Sequence, residues 1–244
     1  MRANKNIPDG IYQEYYSDGK LKSEAAYKRG KKNGLCRIWD DYGDLKREET
    51  YKNDKLDGVC RWFYPNGQLL GEANFRKGKK NGEELNFDDA GQKTYQAHYK
   101  KGKKKGVERA WYNGRLIVES NYKKDLKQGL EREWDKVDGY LTIETHYKKG
   151  KQHGWRRGYD KAGNLSYEAR YKRDKKTGYE RLFHTGVKVN EIRYKSGKRV
   201  SNNWWHPNGK PYIAYKYKKG RKAERREWDK EGNLIKEERY NTKG

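Results

Sequence analysis

A phrase about 24 residues long recurs ten times along this 244-residue chain. Each copy closes on an aromatic residue: Tyr27, Tyr51, Phe75, Tyr99, Tyr122, Tyr147, Tyr171, Tyr194, Tyr217 and Tyr240, spaced 23 to 25 apart. A period of that length marks a repeat array, in which each unit is held by its neighbours rather than by one central core. Residues 1–244 are therefore read as a single array without separate domains.

The phrase also fixes the kind of unit. Glycines recur in mid-repeat at Gly19, Gly43, Gly67, Gly91, Gly114, Gly139, Gly163, Gly186, Gly209 and Gly232, half of them as Asn-Gly or Asp-Gly. Those residues accept the positive φ of tight hairpin turns. Six to eight residues separate one turn from the next, which is strand length and not helix length. Each repeat is thus predicted to be one β-hairpin. The chain is expected to be all-β, an elongated antiparallel meander of about twenty strands, roughly 95 Å long at about 4.8 Å per strand.

Composition decides how such a sheet holds together. A chain that is 32% hydrophobic and 39% charged has little with which to build a deep core, but 8 Trp, 22 Tyr and phased glycines oppose disorder. In seven repeats the aromatic before the mid-repeat turn follows an arginine by two residues, as in Arg37 and Trp39. Residues two apart on a strand share a face, so Arg and aromatic side chains are expected to cover one another. Arg109, Trp111, Arg132, Trp134, Arg157 and Tyr159 are the candidate partner-binding residues of that face. A recurrent glutamate three residues before the closing aromatic, such as Glu24, Glu48 or Glu168, is expected on the opposite face.

The net charge of +25 is concentrated. Nine inter-repeat segments hold 32 Lys or Arg and only four acids, Asp54, Asp57, Asp125 and Asp174. In a meander these turns share one edge, which would steer anionic partners. Lys79, Lys80, Lys101, Lys103, Lys104, Lys105, Lys175 and Lys176 are the candidate contact residues there. Lysine-rich turns also keep a sheet soluble and block edge-to-edge association, so the same residues have a plain structural use.

Cys36 and Cys60 occupy one position in adjacent repeats. Strands two apart lie about 9.6 Å from each other, beyond disulfide reach, so both are expected as reduced thiols. His98, His146, His153, His184 and His206 fall in different repeats with no partner at ligand spacing and are expected at the surface. No nucleophile, phosphate-loop or paired-carboxylate motif departs from the repeat, and a non-enzymatic chain without cofactor or metal is expected. The absence of a long apolar run or a secretory h-region gives a cytoplasmic expectation.

The phrase D-G-x-x-x-x-W/Y-x-x-x-G-x-L-x-x-E-x-x-Y-K-x-G-K, clearest from Asp57 to Gly82 and from Gly34 to Gly58, resembles the bacterial variant of the MORN repeat. The resemblance covers essentially the whole chain. It implies β-hairpin meanders that bind proteins, as in YwqK-type antitoxin or immunity proteins. The expected function is a protein-binding module, an antitoxin or an inhibitor of a bacterial effector, that occludes its partner with the Arg-aromatic face and the basic edge. A nucleic-acid-engaging inhibitor of an RNA-guided defence complex is the alternative, with anionic-lipid binding behind it.

Overall fold

The computed structural model describes residues 7–241, and among these there are 21 strands and no helix. The chain forms two compact units, Met1–Asp125 and Leu126–Gly244. The first holds β1 (Gly10–Tyr15), β2 (Leu21–Lys28), β3 (Lys31–Trp39), β4 (Leu45–Lys52), β5 (Lys55–Phe63), β6 (Leu69–Arg76), β7 (Lys79–Phe87), β8 (Lys93–Lys100), β9 (Lys103–Tyr112) and β10 (Arg115–Lys123). Each pairs antiparallel with the next, giving the expected hairpin meander.

The second unit repeats the pattern with β11 (Leu126–Lys127), β12 (Gly129–Trp134), β13 (Leu141–Lys148), β14 (Lys151–Tyr159), β15 (Leu165–Lys172), β16 (Lys175–His184), β17 (Val187–Lys195), β18 (Lys198–Trp205), β19 (Pro211–Lys218), β20 (Arg221–Trp228) and β21 (Leu234–Arg239). From β12 onward each strand again pairs with its successor.

Two kinds of turn alternate. Between repeats, two residues reverse the chain and both adopt left-handed backbone, as in Arg29 (φ 53°) with Gly30 (φ 70°) or Asn53 (φ 49°) with Asp54 (φ 62°). That double positive φ is the primed turn whose twist matches the flanking strands. In mid-repeat the connection is longer, except at Asn113–Gly114 and Thr185–Gly186, which are again two-residue turns. Trp39 lies opposite Leu45, which centres the hairpin on Tyr42. Asp40 closes it: its carboxylate accepts the N–H groups of Tyr42 (3.1 Å) and Asp44 (3.0 Å). Where the sequence puts Tyr16 or Tyr64 in place of Asp, the phenol donates instead to a backbone carbonyl of the next repeat, at 2.9 Å to Trp39 and 3.0 Å to Phe87.

Each hairpin also carries bulges. Ile38 pairs with Arg47 but Trp39 with Leu45, so Lys46 is left without an opposite number. A second irregularity falls just after each basic turn, at a glycine in most repeats and at Val200 and Ala223 in the last two. Gly58 has φ 134°, and a Cβ there would sit 2.9 Å from Thr50 Cβ. At Gly58 glycine is therefore required by conformation and by space alike.

The interior is a row of small side chains on one face rather than an aliphatic core. In the first unit Ala25, Cys36, Cys60, Ala73 and Ala97 are at most 6% exposed. Glutamates alternate with them along the ladder: Cys36 pairs with Glu49, Glu49 with Cys60, Cys60 with Ala73, Ala73 with Glu84 and Glu84 with Ala97. Both cysteines are buried and free, as expected.

Candidate functional site

The inter-repeat turns put like charges directly opposite one another. Lys28 faces Lys31, Lys52 faces Lys55, Arg76 faces Lys79 and Lys100 faces Lys103 in the first unit. In the second unit Lys148 faces Lys151, Lys172 faces Lys175, Lys195 faces Lys198 and Lys218 faces Arg221. Cross-strand pairs of one sign destabilise a hairpin. Between these turns in the first unit run shallow concavities, one of them lined by seven lysines from Lys100 to Lys124 and by no acid. A neighbouring one shares Lys100 and Lys101 with it and adds Arg76, Lys77 and Lys79.

Not every lysine proposed for this edge lies on it. Lys79, Lys101, Lys103, Lys105 and Lys175 are exposed. Lys80, Lys104 and Lys176 turn instead onto the small-residue face, where they pair with Glu84, Glu108 and Glu180. Their ammonium groups lie over tyrosine rings, with Lys80 Nζ 5.1 Å from the Tyr99 centroid and Lys104 Nζ 5.4 Å from that of Tyr95. The cause is strand alternation: the second residue after each turn points to the face opposite the first.

These Lys-Glu-Tyr clusters are strongly coupled. Burial pushes the Glu108 carboxyl up, but hydrogen bonds from Lys104, Tyr95 and Tyr122 outweigh it and hold the group below the usual carboxylate value. Glu180 is held down in the same way, burial being overcome by Lys176, Tyr194 and Tyr167. Burial and then the Glu84 carboxylate raise the Tyr99 phenol well above its ordinary value. For Lys104, burial opposes the charge and Glu108 overrides it, so its pKa is raised.

The second face carries the Arg-aromatic stripe, and here one expectation is corrected. The glutamates expected on the opposite face share this one. Arg37 pairs directly with Glu48, and Nε stands 2.9 Å from Oε1. Arg61 extends the chain, reaching Glu48 at 3.8 Å and Glu72 at 3.2 Å. The bulge at Lys46 shifts the register by one residue, and a one-residue slip exchanges the two faces.

The proposed face residues are therefore already engaged. Arg109 binds Glu119 at 2.8 Å, Arg132 binds Glu144 at 3.1 Å and Arg157 lies 3.7 Å from Glu168. Tyr159 donates to Glu144 at 3.0 Å. Trp111 and Trp134 are half-buried, and Lys93 Nζ lies 5.5 Å from the Trp111 ring. The histidines depart from expectation in three places: His146, His153 and His206 are half-buried, the first and last with ring nitrogens 3.2 Å from Trp155 O and 3.3 Å from Trp228 O.

Sequence reasoning passed over one position on this face. The residue following the bulge glycine is Leu35, Val59, Glu83 and Val107 in the first unit, and Leu130, then Trp155 and Tyr179, in the second. Alignment of the repeats on their glycines exposes the change.

Three stretches match the family described as the MORN repeat variant: residues 8–29, 56–77 and 80–101. All three lie in the first unit. A comparison with curated proteins gives no match. Among solved structures the chain is similar to the TcdB2-TccC3 complex at 12% identity and TM-score 0.23, covering 95% of this chain and 18% of that one. For TcdB2-TccC3-TEV the values are 14%, 0.23, 88% and 14%. For a Tc holotoxin pore of Photorhabdus luminescens they are 10%, 0.17, 95% and 18%. The chain spans less than a fifth of the length of each. Among the described residues, no helix is long and apolar enough to cross a membrane.

Proposed function

We propose that this chain is a non-catalytic, repeat-based binding module that occludes an acidic protein partner, in the manner of an antitoxin or an inhibitor of a bacterial effector. The basic edge makes the first contact. The observation that carries this reading is the set of eight hairpins in which cations stand directly opposite cations. Solubility needs surface charge, but it does not need like charges paired across eight of the nine inter-repeat turns. A partner of opposite sign relieves the repulsion on binding, so the strain of the free edge becomes binding energy.

A second reading has its own support. The lysine-lined concavity, six of whose lysines remain once Lys104 is given to Glu108, adjoins the next along the edge, and a phosphate backbone would suit such a path.

The test is capture of the native partner by the full chain and by a variant with Lys79, Lys101, Lys103 and Lys105 changed to Glu, with and without nuclease. Loss of a nuclease-resistant protein partner at physiological salt is the expected outcome. Capture that survives the reversal unchanged overturns the edge as the contact surface. Capture abolished by nuclease moves the assignment to nucleic acid.

A further inference from the structure

Repeat proteins place the same chemistry at the same position unless something selects against it, so the position after the bulge glycine is informative. In the first unit it pairs Leu35 with Thr50, Val59 with Asn74, Glu83 with His98 and Val107 with Asn121. In two successive hairpins of the second unit it pairs Trp155 with Arg170 and Tyr179 with Arg193. Nowhere in the first unit does this position hold an aromatic ring beside a guanidinium, and here it does so twice running.

Each ring is flanked by two arginines. Arg157 Cζ lies 5.5 Å and Arg170 Cζ 5.9 Å from the Trp155 ring, and Arg181 Cζ lies 4.8 Å and Arg193 Cζ 5.8 Å from the Tyr179 ring. The four arginines differ in what else they hold. Arg157 and Arg181 belong to the ion-pair ladder, Arg181 binding Glu168 and Glu191 at 2.8 Å each. Arg170 and Arg193 are exposed, and among the described residues neither has an acidic partner.

We propose that Arg170 and Arg193, held over Trp155 and Tyr179, form a two-point carboxylate clamp that anchors an acidic helix of the protein partner. This rests on the binding-module reading above and names the partner's chemistry. The guanidinium fork is planar and binds carboxylates bidentately, and a ring beneath it restricts its orientation before binding, which lowers the ordering cost. Arg, Trp and Tyr are also the residues in which interface energy concentrates.

Spacing selects the helix. Arg170 on β15 and Arg193 on β17 occupy equivalent positions two strands apart, about 9.6 Å. Carboxylates seven residues apart on a helix are separated by about 10.5 Å on one face. A nucleobase would need the ring faces for stacking, and guanidinium groups already lie over them.

The experiment titrates the full-length chain into a labelled helical alanine-glutamine peptide carrying glutamates seven positions apart, followed by fluorescence anisotropy. The R170Q/R193Q variant should bind on the order of tenfold more weakly or worse. R170K/R193K keeps the charge and loses the fork, and should recover only a minor part of that affinity. W155L/Y179V places at these positions side chains the fold carries elsewhere in the array, so it should fold while binding several-fold more weakly.

Lysine variants that bind like the parent reduce the site to point charge and overturn the clamp. So does unchanged binding in W155L/Y179V, which leaves the rings a purely structural part. An oligothymidylate that competes with the peptide and loses affinity equally in the arginine variants assigns the surface to nucleic acid instead. A parallel arm with Lys101, Lys103 and Lys105 changed to Glu separates the two readings: if only that arm weakens binding, the basic edge stands and the clamp fails.

Discussion

Arg37 and Glu48 meet directly across β3 and β4, Nε to Oε1 at 2.9 Å, because Lys46 is left over in the bulge between them and the turn. Without that extra residue the two would stand on opposite faces. A single-residue irregularity thus converts a sequence with separate arginine and glutamate stripes into a ladder of alternating charge. Because Arg37 is 40% exposed, solvent screens the pair. A double-mutant cycle with Arg37→Ala and Glu48→Ala is expected to give a coupling below about 1 kcal/mol. Repeat four already interrupts the ladder with Leu85 opposite Glu72 and Gln96. A coupling of several kcal/mol would mean that the ladder is a principal source of stability.

The bulge glycine is a sharper structural requirement. Gly58→Ala must place a side chain at φ 134° with its Cβ 2.9 Å from Thr50 Cβ. The expected loss is about 1–3 kcal/mol from conformation alone, before the contact is relieved. Gly67→Ala shares the positive φ (80°) but meets nothing within 4 Å, so urea melts should show Gly58→Ala as the more damaging of the two.

Trp111 and Trp134 are half-buried, so truncation removes only part of a full aromatic burial. Each change to Ala is expected to cost about 1–2 kcal/mol, below the roughly 3–5 kcal/mol of a fully enclosed ring. Thermal melts of the single variants check this.

The hairpin array, the turn positions and the reduced cysteines were all legible in the sequence because turn residues, a two-residue alternation and the spacing of strands specify them. The face assignment of the glutamates was not. Alternation carries across a turn only if no residue is extra, and nothing in the local composition of Lys46 marks it as bulged. The inward course of Lys80, Lys104 and Lys176 was hidden for a related reason. A run such as Lys103, Lys104, Lys105 reads as one basic patch until the pleat divides it, and the glutamate that receives Lys104 lies four residues on, at Glu108. Charge density could be counted from the sequence, but its partition between edge and face needed the register.

The buried clusters set a pH window. Glu108 and Glu180 have folded-state pKa values below their unfolded ones, so the stability they contribute is present above the ordinary carboxylate value and is lost as pH falls through the folded one. Tyr99 and Lys104 are raised, so their contribution is complete below their ordinary values near pH 10 and is lost as pH rises through the folded ones. Melting temperature should therefore hold a plateau through neutral pH and fall at both ends. Glu108→Gln should lower stability on the plateau by about 1–3 kcal/mol and flatten the acid limb. An unchanged acid limb in that variant would place the acid-labile groups elsewhere.

The free basic edge should be less stable than it could be. Lys100 faces Lys103, and Arg76 faces Lys79, so each hairpin keeps a repulsion that an opposite-charge pair would replace with attraction. Lys100→Glu and Arg76→Glu together are expected to raise stability by a few tenths of a kcal/mol per hairpin at low salt, with the gain shrinking as ionic strength screens both terms. Added salt should likewise stabilise the parent chain more than the variant. Binding should move the other way, with partner capture weakened chiefly through a slower association rate. Opposite signs in stability and binding are what a surface shaped for a partner gives. If the substitutions leave both unchanged, the turn lysines are held too far apart by solvent to repel, and the edge serves solubility alone.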